Sequence, residues 1–192
     1  MTRITKPVVE RRQEIIDTAK ALFIENGFDK TQVADISQKM VVAQGLIYYY
    51  FKSKTEILYA IIDEMVEEQY SSIEQSLSAV SGTAMEKLKI LFRKRFNKDQ
   101  YGKLIPSIMN DVAISEYCSN KMTESSMPHL LTLIMQGNED GSWHCEYPKE
   151  TALFITRGIS GIMQLRAPEY SNESMEKALI DIFIRILGPP QK

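Results

Sequence analysis

Amide, glycine, phenol and ammonium groups are concentrated in one short stretch of this sequence. The stretch runs from Thr31 to Lys54 and reads TQVADISQKMVVAQGLIYYYFKSK. A Gln side chain can pair bidentately with an adenine edge in the major groove of DNA, a Gly permits close approach, and Tyr and Lys can donate hydrogen bonds to phosphates. These residue types at this spacing indicate chemistry directed at a DNA duplex.

Two short helices joined by a tight turn would position these groups. Thr31 is the candidate N-cap of the first helix, because its hydroxyl can accept a hydrogen bond from an otherwise unpaired amide. Val33, Ile36 and Met40 then recur at a helical spacing suited to burial. The second helix is predicted to begin near Ala43.

The second helix is predicted to turn its polar groups outward. Ile47 and Phe51 are four residues apart, so they share a face suited to inward packing. A run of aromatic residues can also be an ordinary core segment. Three consecutive tyrosines cannot all face one core on a helix, so at least one phenol must reach solvent or a partner. The candidate DNA contacts are Thr31, Ala43, Gln44, Gly45, Tyr48, Tyr49, Lys52 and Lys54.

The order of these residues follows a known pattern. The run from Gly45 to Lys54, preceded by Ile36–Lys39 and followed by Glu56–Leu58, resembles the helix-turn-helix of the tetracycline-repressor (TetR/AcrR) family of bacterial regulators. The resemblance is close over residues 10–62, and the remainder is similar to the family in length, helicity and a few patterns. It implies a homodimer that binds a palindromic DNA operator and a small-molecule effector, usually as a repressor.

The turn between the two helices departs from the family's usual sequence. The family usually has Ala-Gly there, whereas this chain has Met40-Val41. If Val41 adopts a positive φ, its β-branched side chain would cost roughly 1–2 kcal/mol. The turn is therefore expected either to be built differently or to carry some strain.

Length and charge favour a protein of two parts. With 192 residues, 44 % of them hydrophobic, the chain can bury a substantial core. Residues 1–54 carry nine Lys and Arg against six Asp and Glu, whereas the whole chain carries 23 against 25. A basic end on an acidic body concentrates positive potential where phosphates would lie, although ordinary scatter of surface charge explains the difference equally well. We assign residues 1–54 to a helix-turn-helix DNA-binding domain and residues 55–192 to a ligand-binding and dimerisation domain.

Cysteine spacing and hydropathy favour a cytoplasmic location. Cys118 and Cys145 do not form a Cys-x-x-Cys pair, and no apolar run approaches the roughly 18 residues of a membrane span. The charged N-terminal start is not followed by a hydrophobic stretch, so a signal peptide is not expected. We expect free thiols, no membrane partner, and no cofactor or metal.

Helical periodicity through nearly the whole chain predicts an all-α fold. Gly27 should stop the first helix, and Ser53–Glu56 and Thr83–Glu86 are capping boxes that open later helices. Pro148 suits a first helical turn, and Gly137–Ser142 has the composition of a loop. Besides the two short helices, helices are predicted at about Val8–Asn26, Lys54–Leu77, Ala84 to a break near Gly102, Pro106–Tyr117, Thr123–Gln136, Pro148–Leu165 and Asn172–Leu187.

The last two predicted helices each carry an apolar stripe that must be buried. The stripes can pack into the core of the same chain, and the family resemblance implies that they also meet a symmetry mate in a four-helix dimer interface. The candidate interface residues are Ala152, Ile155, Gly158, Ile159, Ile162, Ala178, Leu179, Ile182, Phe183 and Ile186.

The family resemblance also implies an effector cavity in the C-terminal part. Methionine and aromatic side chains suit an adaptable, largely apolar pocket, and the same side chains can simply fill a core. Arg157 and His129 are the polar groups of interest, because a charge on a mainly apolar helix usually needs a partner or ligand. The candidate ligand-binding residues are Phe92, Phe96, Tyr101, Met109, Tyr117, Met135, Trp143, Arg157 and Met163.

Catalytic motifs are not evident. The sequence contains no nucleophile elbow, phosphate-binding glycine loop, dinucleotide fingerprint or zinc-ligand spacing, so we predict that the protein is not an enzyme. The alternative function is a dimeric helical module that binds a small molecule or a protein and whose specific DNA binding is weak or lost. The Met40-Val41 turn would allow this alternative.

Overall fold

The computed structural model describes residues 7–95, 104, 108, 111–164 and 172–188. Every regular element among these residues is an α-helix, which confirms the predicted all-α fold. Within this described part, no helix is both long enough and apolar enough to cross a membrane. The helices are α1 (Val8–Asn26), α2 (Val33–Lys39), α3 (Gln44–Tyr50), α4 (Lys54–Ser78), α5 (Ala84–Arg95), α6 (Val112–Asp140), α7 (Pro148–Gln164) and α8 (Asn172–Leu187).

Two compact units divide the chain within α4 and again within α6. Unit 1 comprises residues 1–65 and 99–117, and unit 2 comprises residues 66–98 and 118–192. The predicted boundary after Lys54 concerned where the DNA-binding residues end, and it stays a prediction about function.

Helix α1 supplies the framework of unit 1. Ile15, Ala19 and Phe23 recur at helical spacing and are fully buried. Phe23 packs edge to face against Phe28, with 5.3 Å between ring centroids. Gly27 ends the helix with a φ of 89°, and its N–H donates to the carbonyl of Phe23 over 2.9 Å. The predicted bounds of α1 are confirmed.

Helix α2 begins with a capping box that the sequence analysis missed. Gln32 is the N-cap, and its N–H donates to Oδ2 of Asp35 over 2.7 Å, while the Gln32 side chain receives the N–H of Asp35. Thr31 is buried, and its hydroxyl donates to the carbonyl of Gly27 over 2.9 Å. The predicted capping role of Thr31 is therefore wrong, because its hydroxyl satisfies the end of α1 instead.

The turn after α2 is a Schellman motif with valine at its left-handed position. The N–H of Val41 donates to the carbonyl of Gln38 over 3.1 Å, and the N–H of Val42 donates to the carbonyl of Ser37 over 3.0 Å. Val41 has a φ of 56°, in the region that usually selects glycine. Its side chain is 90 % exposed, so little intramolecular packing offsets the strain. The expectation of a positive φ at Val41 is confirmed.

The two predicted capping boxes of the longer helices form differently. At the start of α5, the N–H of Thr83 donates to the Glu86 carboxylate over 2.9 Å, and the N–H of Glu86 lies 3.4 Å from the Thr83 hydroxyl. At the start of α4, the N–H of Glu56 donates to Ser53 Oγ over 3.1 Å, but the Glu56 carboxylate accepts the N–H of Lys52 rather than that of Ser53. Both boxes nevertheless open the helices where the sequence predicted.

One long helix, α6, replaces two predicted helices and part of a predicted loop. The break expected between Tyr117 and Thr123 does not occur, because the intervening residues are half-buried and their packing favours continued helix. Pro128 lies inside the helix, and Thr132 Oγ1 donates to the carbonyl of Pro128 over 3.0 Å. The helix then continues through Gly137 to Asp140, where a loop was predicted.

The indole of Trp143 explains why the predicted loop is partly helical. Trp143 is fully buried, its Nε1–H donates to the carbonyl of Ile134 over 2.9 Å, and its ring covers Gly137. Asn138 exchanges two hydrogen bonds of 2.8 Å with the backbone of Cys145. These contacts hold the last turn of α6 against the segment that returns toward α7.

Hydrogen bonds also fix the last residue of α6. Asp140 Oδ2 accepts the N–H of Ala84 over 2.7 Å, and Oδ1 accepts the N–H of Ser142 over 3.0 Å. Desolvation acts in the opposite direction, but the hydrogen bonds from Ser142 and Ala84 hold the pKa of Asp140 below its ordinary value. The carboxylate therefore joins the start of α5 to the end of α6 within unit 2.

Replacing Val41 by Gly should stabilise unit 1. The substitution removes the cost of a left-handed valine, about 1–2 kcal/mol, and adds the backbone entropy cost of glycine, about 0.5–1 kcal/mol. We expect a net gain of about 0.5–1 kcal/mol in the free energy of unfolding, measured by urea denaturation followed by circular dichroism. Val42→Gly is the control: Val42 is half-buried and has no positive φ, so this variant should be less stable. A loss of stability in Val41→Gly would contradict the strain.

Gly137→Ala should destabilise unit 2, because a Cβ there would overlap the buried Trp143 ring. We expect a loss of about 1–3 kcal/mol, as for overpacking elsewhere. Gly45→Ala is the matched control, because Gly45 is also helical and its added Cβ meets nothing within 4 Å. Thermal melts that show equal stability for the two variants would argue against a tight contact between Gly137 and Trp143.

Candidate functional site

The exposed side of α3 carries the polar groups that the sequence predicted. Gln44 and Gly45 are exposed, and the phenols of Tyr48 and Tyr49 are 51 % and 76 % exposed. Ile47, on the opposite side, is fully buried. The predicted start of this helix is confirmed, with Ala43 as N-cap, and so is the outward placement of these four residues.

Contacts from outside α3 hold it in place. Phe51, directly after the helix, is buried, and its N–H donates to the carbonyl of Ile47 over 3.0 Å. The guanidinium carbon of Arg12 lies 4.8 Å from the Phe51 ring centroid, in cation–π geometry. Arg12 was missed as a supporting residue because its partner is 39 positions away and no local pattern links them. This cation lies on α1, within the same unit as α3.

The two lysines after α3 differ in what they contact. Lys52 is exposed, as a phosphate-binding residue should be. Lys54 is half-buried, and its Nζ donates to the carbonyls of Phe28 and Thr31 over 2.8 and 2.9 Å. The prediction of Lys54 as a phosphate contact is corrected accordingly, because two backbone carbonyls occupy its ammonium.

Thr31 likewise turns its side chain away from solvent. It is 1 % exposed, and its hydroxyl is engaged by the carbonyl of Gly27. A contact from this hydroxyl to phosphate would require the end of α1 to open. The exposed candidates for DNA contact are therefore Ala43, Gln44, Gly45, Tyr48, Tyr49 and Lys52.

The candidate ligand-binding residues are not brought together by the structure. Phe92 is buried against Phe183, with 5.0 Å between ring centroids, and Trp143 is part of the same hydrophobic core. Met135 is half exposed. Phe96, Tyr101 and Met109 lie outside the described residues, as does the side chain of Met163.

The polar candidates for ligand binding have partners within the protein. Arg157 is exposed, and its Nη1 donates to Oδ1 of Asn120 over 2.8 Å. The ring of His129 stacks on Tyr70, with 5.8 Å between centroids. Tyr117 belongs to unit 1, where its hydroxyl donates to Asp63 over 2.9 Å. Their presence on helices is therefore explained without a ligand.

Unit 2 contains one small cavity that the sequence did not indicate. Its volume is about 30 Å³, enough for a water molecule. Apolar side chains form most of its wall, and the hydroxyls of Ser126 and Thr156 supply polar groups. The lining residues are Tyr70, Ile73, Leu91, Ser126, Leu130, Thr156, Ile159 and Phe183.

The candidate dimer residues fall into two groups. Half of them are buried within the same protomer and belong to the core of unit 2: Ala152, Ile155, Ile159, Leu179 and Phe183. Their assignment to an interface is corrected, because the inner faces of α7 and α8 need them. The others lie at the surface or half-buried: Gly158, Ile162, Ala178, Ile182 and Ile186.

Two exposed apolar residues extend this outer surface. Leu153 and Phe154 are 45 % and 67 % exposed on α7. The sequence analysis missed them because only one apolar stripe was traced along α7. Together with the exposed group from both helices they form what we call the α7–α8 patch, which consists of Leu153, Phe154, Gly158, Ala178, Ile182 and Ile186.

Comparison with known proteins places the helix-turn-helix in a family. Residues 15–61 match the model of bacterial regulatory proteins of the tetR family. The fatty acid metabolism regulator protein of Bacillus subtilis (strain 168) is 36 % identical over 84 residues, which is 44 % of this chain and 43 % of that protein. The matched segment thus spans less than half the length of this curated relative.

Solved structures extend the likeness in fold beyond this segment. The fatty acid degradation regulator FadR from Bacillus halodurans aligns with a TM-score of 0.68 and 23 % identity, over 93 % of this chain and 96 % of that one. A transcriptional regulator of the TetR/AcrR family from Thermobifida fusca YX-ER1 aligns with a TM-score of 0.65 and 21 % identity, over 91 % and 97 %. The family model, the curated relatives and the shared fold agree, and the chain belongs to the TetR/AcrR family of regulatory proteins.

Proposed function

We propose that this protein is a ligand-responsive transcriptional regulator, a repressor that leaves a palindromic operator when a small molecule binds. The observation that carries the proposal is the exposed side of α3, where Gln44, Gly45, Tyr48 and Tyr49 stand opposite the buried Ile47. A rigidly held helix with an amide, a glycine and two phenols outward suits the major groove of DNA.

The residues around α3 divide the work of binding. Gln44 is placed to read a base edge, and Gly45 lets the backbone approach. Tyr48, Tyr49 and Lys52 suit phosphates, which set the register of the helix on the duplex. Lys52 contributes a full positive charge that is exposed to solvent.

We propose that the α7–α8 patch joins two copies of the chain. Its apolar side chains are exposed although the core of unit 2 already has its own set from the same helices. Beside Ile182, Asp181 and Arg185 form an exposed ion pair of 2.7 Å, as expected of a polar rim. A two-fold axis through this patch would present two copies of α3 to a palindrome.

The effector is proposed to bind in unit 2 and to be largely apolar. The walls of the cavity there are mostly apolar, and a ligand would have to enlarge it by repacking side chains such as Leu91 and Phe183. The names of the Bacillus subtilis and Bacillus halodurans relatives refer to fatty acid metabolism and degradation, so long-chain acyl compounds are the first class to test. Native mass spectrometry of protein purified from its own host would identify a retained ligand directly.

The strained turn supports an alternative function. Val41 in a left-handed conformation lies between the two helices of the DNA-binding motif, and a chain that had lost specific DNA binding would tolerate such strain. The protein would then be a dimeric module for small molecules or proteins. Retention on a palindromic fragment from its own promoter region, beside random duplex at low salt, separates the two: equal weak binding favours the module.

Gln44→Ala should reduce specificity for DNA. We expect a loss of about 1–3 kcal/mol on the cognate duplex and nearly unchanged binding to random duplex, because a base contact is lost and phosphate contacts remain. Fluorescence anisotropy titration of both duplexes measures the two losses. Gln75→Ala, an exposed glutamine of α4 in unit 2, is the control and should change neither. Equal losses on both duplexes would remove Gln44 from base reading.

Gly158→Arg should separate the protomers. An added Cβ at Gly158 meets no atom of its own protomer within 4 Å, so the variant should fold and the bulky charge should act on the partner. Because bivalency is lost, affinity for a palindromic duplex should fall by orders of magnitude. Sedimentation, circular dichroism and duplex titration give the three readouts. Thr132→Arg, at an exposed position on α6, is the control and should stay dimeric. A folded Gly158→Arg dimer would show that the patch is not the interface.

A further inference from the structure

Lys54 makes three contacts that all point into unit 1. Its Nζ donates to the carbonyl of Phe28 over 2.8 Å and to that of Thr31 over 2.9 Å. The same ammonium lies 4.2 Å from the centroid of the Phe28 ring. An ammonium has three N–H donors, and two of them are committed to these carbonyls. The side chain is thus a bridge between the first residue of α4 and the segment that precedes α2.

We infer that Lys54 is a positioning residue for α3, because its ammonium ties the start of α4 to the start of α2 and closes the chain between them into a loop. This inference rests on the proposed DNA-binding function of α3. It assigns Lys54 to orienting the residues that meet DNA and not to meeting DNA itself.

The path of the chain explains why this tie sets the orientation of α3. From Thr31 to Lys54 the chain passes through α2, the turn at Val41, α3 and Phe51. Helix α3 has seven residues, and α2 has seven, so neither is stable without packing. The tie joins the two ends of this 23-residue span, which reduces the number of arrangements that α2 and α3 can adopt together.

Neighbouring contacts make the receiving end of the tie firm. The Thr31 hydroxyl is itself bonded to the carbonyl of Gly27, and Phe28 packs against the buried Phe23 of α1. Both carbonyls that Lys54 binds therefore belong to residues anchored on α1. A side chain that closes on an anchored segment transmits its position to α4, whereas one that closes on a loose loop would not.

Charges around Lys54 favour the closed arrangement. Burial lowers the pKa of Lys54, and the nearby carboxylates of Asp29 and Asp35 oppose this by favouring the charged form. Turning the ammonium outward to a phosphate would break both carbonyl bonds and move the charge away from these carboxylates. The geometry of unit 1 thus holds the ammonium inward.

Positioning and phosphate contact predict different salt dependence. A lysine that binds a phosphate releases condensed counter-ions, so its loss lowers the slope of log K against log salt by about 0.9. A lysine that only positions α3 leaves the slope as it is and changes how well base contacts form. The ratio of affinities for selected and random duplex reports that second effect, and a general loss of folded protein does not change this ratio.

The experiment compares Lys54→Met with Lys52→Ala. The probes are a duplex selected by the parent protein from a randomised pool and one random duplex, titrated at several NaCl concentrations. For Lys54→Met we expect the affinity ratio to fall by about tenfold or more, as for a lost base contact, with the parent salt slope retained. For Lys52→Ala we expect the ratio to be retained and the slope to fall by about 0.9.

A second variant and the parent protein complete the test. Lys54→Gln keeps a donor that can bond one carbonyl, so its affinity ratio should lie between those of Lys54→Met and the parent; this holds the inference testable if Lys54→Met does not fold. An unchanged ratio in folded Lys54 variants, or a slope lowered as in Lys52→Ala, overturns the positioning role and leaves the proposed function intact. A parent protein that selects no duplex overturns the proposed function itself.

Discussion

The burial of Ile47 and Phe51 is the constraint on which the DNA-facing surface depends. Helix α3 has only seven residues, and helices shorter than about 12 residues are marginal in water, so α3 exists because its inner side packs into unit 1. Fixing that side fixes the other, because side chains about four positions apart share a face. Tyr48 and Tyr49 are exposed for this reason, and the guanidinium of Arg12 over Phe51 adds to the same anchor.

The last two helices show the same logic with more apolar surface than one core requires. On α7, Ala152, Ile155 and Ile159 complete the core of unit 2, yet Leu153 and Phe154 are exposed beside them. A helix with apolar residues on both the inner and the outer side needs two things to pack against. The core of the same chain accounts for the inner side, and a second copy of the chain accounts for the outer side in the proposed function.

Local patterns predicted local features well. Gly27 marked the end of α1, and the four-residue spacing of Ile47 and Phe51 gave the correct inner side of α3, because caps and periodicity depend on neighbours in sequence. The roles of Thr31 and Lys54 were not predictable in this way. Lys54 contacts residues 23 and 26 positions earlier, and its type alone suits a phosphate as well as a carbonyl. The continuity of α6 also depended on distant packing.

Trp143 gives unit 2 a spectroscopic property of its own. It is the single tryptophan of the chain, it is fully buried, and its indole N–H is bonded to the carbonyl of Ile134. Its surroundings consist of residues of unit 2, including Gly137 and the core around Phe92 and Phe183. Tryptophan emission from the unmodified protein is therefore a label-free signal of packing inside that unit. Events that change the interior of unit 2 alter this emission, and the tyrosines of α3 do not contribute to it.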